Sequence, residues 1–242
     1  MNQDVLQRFP NQNIEERPTE CVGETIADIV GNIVGVPCDA GYSYAATLKV
    51  MGVTPNTSGS DPYSGALSAI VYGGLATQKE PFDATTNGEL YESNLANYPK
   101  PDQEAAEQYA QNGITLLEDY GSIVDFLGTN QGGVILPLTW YESFLSPNPD
   151  GTLPAPSGAT TEHCTAVYEA TSLGLRQKSW IGPTYGSGGY DFLPENVFER
   201  VFYGEAWGFP KNANRWFSLA TTSVSRPWLI KDTLPQMIPL FA

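Results

Sequence analysis

Apolar residues recur along the chain with two different periods. Val22, Ile26, Ile29, Val30, Ile33 and Val34 fall at i, i+4, i+7, i+8, i+11 and i+12, the spacing of one helical face. Thr19 suits the N-cap, Glu20 suits the first turn, and Gly35 and Pro37 supply the stop. Cys21 therefore falls in the first turn of an amphipathic helix. Further helices are expected over 43–51 and 63–72, with short ones over 105–111 and 122–127. Residues 77–103 read as a loop region broken by Pro81, Pro99 and Pro101. After Gly132 and Gly133 the pattern shortens to strand-like runs. Strands are expected over 134–140, 164–170, 173–181 and 189–193, with a Pro- and Gly-rich loop over 146–160. Helices first and strands second predicts an α+β chain, with a helical N-terminal half, a β-rich C-terminal half and a cleft between them.

Composition narrows this picture. The 242 residues, 41% of them hydrophobic, can bury a large core. The 24 Gly and 19 Pro argue against a pure helical bundle. A net charge of -15 with only 12 Lys plus Arg keeps the chain soluble and repels polyanions, so nucleic acid is excluded as a partner. The first residues carry no positive segment followed by an apolar run, so no signal peptide is read there. No apolar run approaches the roughly 18 residues of a membrane span. The expected setting is cytoplasmic or within a protein assembly, without a membrane partner.

Candidate chemistry centres on two residues. Three cysteines, Cys21, Cys38 and Cys164, with no close pair, suggest neither a disulfide framework nor a zinc site. A helix N-terminus and a neighbouring imidazole both activate a thiol. Cys21 has the first by its position, and His163, the chain's single histidine, is the one candidate for the second. A small core cysteine and a structural histidine are the plain alternatives. The acidic residues lack metal-ligand spacing, and Gly186, Gly188 and Gly189 suit a turn better than a phosphate loop, so no cofactor or metal is expected.

The flanking segments carry a resemblance. Asn11-Gln12 precedes Cys21, which opens a helix. Asp61-Pro-Tyr-Ser-Gly-Ala-Leu-Ser-Ala-Ile-Val-Tyr-Gly-Gly-Leu75 reads as a helix and turn. Gly132-Gly-Val-Ile-Leu-Pro-Leu-Thr-Trp-Tyr-Glu-Ser-Phe144 is a strand leading to a Tyr-Glu-Ser-Phe segment. Glu162-His-Cys-Thr-Ala-Val167 follows a Pro/Gly loop. Lys178-Ser-Trp180 is followed by Gly-Gly-Tyr-Asp-Phe-Leu-Pro194. In this order the pieces resemble the papain-like cysteine peptidases, of a divergent bacterial or viral type, whose histidine follows the cysteine by roughly 130–150 residues. The resemblance covers about residues 8–202. It implies a papain-like domain over 1–202, helical over about 10–115 and β-rich over about 116–202, with 203–242 an aromatic, Pro-containing extension. It further implies peptide-bond hydrolysis with Cys21 as nucleophile, His163 as base and Gln12 in the oxyanion hole. Trp180 is the candidate substrate contact, with packing in the core or cleft wall as its other reading.

This chain departs from the family pattern in three places. The Cys-Gly-Ser-Cys-Trp box is replaced by Thr-Glu-Cys-Val-Gly around Cys21. Glu20 and Glu24 add negative charge beside the thiol, which opposes its ionisation. Anchored on Trp180, the asparagine that orients the histidine becomes Lys178, whose ammonium only donates and would repel an imidazolium. Gln177 supplies a carboxamide if the strand is shifted by one residue. The sequence therefore supports a peptidase acting on peptide or protein substrates. Its alternative is a catalytically degenerate domain serving as a structural or binding component of a larger assembly such as a virion, with 203–242 reaching a protein partner.

Overall fold

The computed structural model describes residues 20–76, 90, 92–130, 132–179, 181 and 185–211. Helix α1, Cys21–Val34, forms where the apolar stripe predicts it and ends at Gly35. That glycine takes a φ of 82°, and its N–H closes on the Gly31 carbonyl. Glu20 occupies the N-cap position, and Thr19 lies outside the described residues. Val22, Ile26, Ile29 and Val30 are buried, as the stripe requires.

Helix α2, Ala40–Met51, starts at Asp39, whose carboxylate accepts the Tyr42 N–H at 2.7 Å. Helix α3, Pro62–Val71, repeats the device with Asp61 and the Ser64 N–H, also at 2.7 Å. Helix α4, Lys100–Glu107, begins and ends earlier than the expected 105–111. Pro101 does not break it, because it sits in the first turn, where a missing N–H has no helical partner to lose.

The second half is built on one six-stranded antiparallel sheet. Its strands are β1 Thr115–Leu117, β2 Gly133–Tyr141, β3 Thr160–Thr171, β4 Gly174–Lys178, β5 Tyr190–Leu193 and β6 Ala206–Phe209, in the order β1-β6-β2-β3-β4-β5. Helices α5, Tyr120–Asn130, and α6, Glu195–Val201, belong to the same half. β6 comes from the segment expected to begin an extension after residue 202, and it pairs with both β1 and β2. Residues 212–242 of that extension lie outside the described residues, as do 77–89 of the expected loop.

Strand alternation separates two cores. Leu136 and Leu138 of β2 face one way, onto Phe144, Val167, Leu175 and α5 and α6. Ile135 between them faces the other way, with Cys164, Ala166 and Tyr168 of β3, onto Ile26, Ile29 and Val30 of α1. Each large apolar side chain so buried contributes about 1.5–3 kcal/mol. Gly133 permits the close packing, since a Cβ there would come 2.7 Å from Ile29 Cγ1. The helix carrying Cys21 is thus seated on the strand carrying His163. Among the described residues, no helix is long and apolar enough to cross a membrane.

Candidate active site

Cys21 is half-buried at the first turn of α1, where the positive end of the helix favours a thiolate. It borders a cleft of about 850 Å³ whose walls also include Pro62 of α3, His163, Glu205 and Trp207. All three cysteines are thiols, and Cys38 and Cys164 are buried. Burial, then the nearby Asp39 and Asp28 carboxylates, push the Cys38 thiol up to about 12. Cys21 is therefore the half-exposed thiol of the three. Glu20 and Glu24 lie buried beside it. One turn along α1, Thr25 Oγ1 donates to the main-chain carbonyl of Cys164 at 3.2 Å. That bond ties the helix of Cys21 to the residue next to His163.

His163 sits in β3 opposite Leu138 and is buried. Its ring meets Trp140 edge-on, with centroids 4.9 Å apart. Its Nε2 lies 3.2 Å from the main-chain carbonyl of Ser179. A carbonyl can only accept, so Nε2 bears the proton and Nδ1 carries the lone pair. Burial lowers the imidazole to about 4, and the Ser179 carbonyl opposes that shift without cancelling it. The ring is neutral at neutral pH, with Nδ1 as its basic nitrogen.

The position after Gln177 resolves differently from either sequence reading. Lys178 is buried, and its ammonium meets Asp28 Oδ1 of α1 at 2.7 Å. Tyr168 also bonds Asp28 through its hydroxyl. Strand alternation sends Lys178 toward α1, so its charge is neutralised there. Gln177 faces the other way: its Oε1 accepts from Thr165 Oγ1 at 2.8 Å, and its Nε2 donates to Asp191 Oδ1 at 2.7 Å. Both side chains are committed elsewhere, and the main-chain carbonyl of Ser179 accepts the hydrogen bond from His163 Nε2. A backbone acceptor has no side-chain signature, which is why no residue type in the sequence pointed to it. Gln12 and Trp180, expected to serve the oxyanion hole and the substrate, lie outside the described residues.

No protein-family model matches this sequence, and no curated protein does. Solved structures do match it. Xylellain, a cysteine protease from Xylella fastidiosa, superposes with a TM-score of 0.62 at 15% identity over 80% of each chain. Digestive procathepsin L 3 of the Tenebrio molitor larval midgut gives 0.58 at 12% identity, over 85% of this chain and 68% of that one. The bromelain protease from Ananas comosus, solved in complex with the E64 inhibitor, gives 0.56 at 12% identity, over 85% and 96%. At such identities the likeness establishes the fold, which is papain-like, with helices preceding an antiparallel sheet.

Proposed function

We propose that this chain is a papain-like cysteine peptidase that hydrolyses peptide bonds, with Cys21 as nucleophile and His163 as general base and acid. One observation carries the reading: a half-exposed thiol at a helix N-terminus and the His163 imidazole border the same cleft.

The chemistry follows from the tautomer. As Cys21 sulfur bonds to the substrate carbonyl carbon, its proton passes to His163 Nδ1. The carbonyl oxygen becomes an oxyanion, which the Cys21 main-chain N–H and Gln12 would hold. The imidazolium then returns its proton to the departing amine as the C–N bond breaks, leaving a thioester. Water attacks the thioester and gives a proton to Nδ1. The C–S bond breaks, the acid leaves, and the proton returns to sulfur. Throughout, Nε2 stays bonded to the Ser179 carbonyl, so the ring keeps its orientation while Nδ1 cycles. Burial disfavours the imidazolium, while the N-terminus of α1 favours the thiolate.

The degenerate-domain alternative drew on Lys178 replacing an asparagine, on the altered cysteine box and on the aromatic C-terminal tail. With that lysine paired to Asp28 and Nε2 held by a carbonyl, the first of these grounds is met by a substitute acceptor. The test is hydrolysis of a mixed peptide library, read by mass spectrometry. Cleavage that disappears in both Cys21→Ala and His163→Ala is the expected result. Cleavage absent from the parent chain, or retained in Cys21→Ala, would overturn the proposal.

A further inference from the structure

Ser179 holds His163 from an awkward place. It lies one residue past the end of β4, beyond the last ladder pairs, in which Lys178 faces Ala166 and Tyr190. Its own hydroxyl provides the anchor: Ser179 Oγ donates to Asp191 Oδ2 at 2.5 Å. The other oxygen of Asp191 accepts from Gln177 Nε2 at 2.7 Å, and Gln177 in turn accepts from Thr165 of β3. The Tyr185 hydroxyl also faces the carboxyl and donates to the Phe144 carbonyl at 2.7 Å. Thr165, Gln177, Ser179 and Asp191 are all 0% exposed.

A carboxyl this deep is expensive to bury, and desolvation pushes it up to about 7 despite its donors. The sheet does not require it for its ladder, because strand pairing is made by the main chain. What the carboxyl does is fix a serine whose carbonyl sets the tautomer of the chain's single histidine.

We propose that Asp191 is a positioning residue that fixes the tautomer and orientation of His163 through Ser179. It takes the place of a side chain bonded directly to the imidazole. The catalytic consequence rests on the peptidase reading above. The structural consequence does not.

The experiment uses the full chain labelled with 15N at histidine, at pH 8, where one imidazole gives two ring-nitrogen signals. The parent is expected to show a protonated Nε2 and an unprotonated Nδ1. In Asp191→Ala and Ser179→Ala the two shifts should move toward each other as the tautomers mix. In the same variants kcat should fall about tenfold or more with KM within about twofold, as for other partners that act through a catalytic group. Asp191→Asn, which keeps an acceptor oxygen for Ser179, should restore the parental tautomer. Ser179→Ala removes a single oxygen and carries the test by itself if Asp191→Ala does not fold. Parental nitrogen shifts in folded Ser179→Ala would overturn the proposal. A parent chain without hydrolysis would overturn the peptidase reading alone, since the nitrogen shifts still decide the positioning role.

Discussion

Two buried titratable groups near the cleft give this protein opposing pH dependences, and a pair of substitutions should separate them. Burial lowers His163 from 6.5 to about 4, so between those values the unfolded chain holds a proton that the folded chain does not. His163 therefore contributes stability that is full above about 6.5 and is lost as pH falls through about 4. Asp191 does the reverse. Its carboxyl is raised from 3.8 to about 7, so its contribution is full below about 3.8 and is lost as pH rises through about 7. At about 1.4 kcal/mol per pH unit, each effect amounts to about 3 kcal/mol between pH 4 and 6.5. In the parent chain the two slopes oppose and nearly cancel over that window. Asp191→Asn removes one of them, so its stability relative to the parent should fall by about 3 kcal/mol on going from pH 6.5 to pH 4. His163→Phe should show the opposite trend relative to the parent. Urea unfolding followed by tryptophan fluorescence at half-unit pH steps measures both. Each variant is compared with the parent at the same pH, so carboxylates common to both chains drop out. A pH profile of Asp191→Asn parallel to that of the parent would refute the reasoning, because Asp191 would then titrate alike in folded and unfolded chains.

Other consequences are simpler to read. Asp28→Ala leaves the Lys178 ammonium buried without its carboxylate, and unfolding midpoints should show a loss of about 3–5 kcal/mol, much of it recovered when Lys178→Met is added. Gly133→Ala forces a methyl into Ile29 at the seat of α1 and should cost about 1–3 kcal/mol in the same assay, with hydrolysis reduced because Cys21 rides on that helix. Among the described residues, Asp61, Glu162 and Glu205 border the cleft and no lysine or arginine does, so matched peptides carrying arginine should be cleaved several-fold faster than those carrying glutamate. Equal rates at low salt would contradict that.

How much of this was legible in the sequence depended on the length and regularity of each signal. Six apolar residues in register were enough for α1, and the glycine that ends it was equally plain. Long strands such as β2 and β3 declared themselves by β-rich runs between turn residues. β1 and β6, three and four residues long, offer too few positions for any period to show, and their place in the sheet comes from pairing with each other and with β2. Cys21 and His163 stood out because one opens a helix and the other is the single histidine. Their common cleft is a property of packing, created when α1 lies across β2 and β3. The lysine after Gln177 looked damaging because a sequence does not say which face of a strand a residue takes. Once alternation turns Lys178 to Asp28, the next residue's carbonyl is left facing the imidazole.

The central claim is that Cys21 is an activated thiol and not an ordinary half-buried one. The direct measurement is the rate at which iodoacetamide alkylates it at neutral pH, read by peptide mapping in the folded chain and in the chain unfolded in urea. The account predicts a single modified residue, Cys21, since Cys38 and Cys164 are buried. It also predicts faster labelling in the folded chain than in the unfolded one, and loss of that excess in His163→Ala. Folded Cys21 that labels no faster than the unfolded thiol would contradict it.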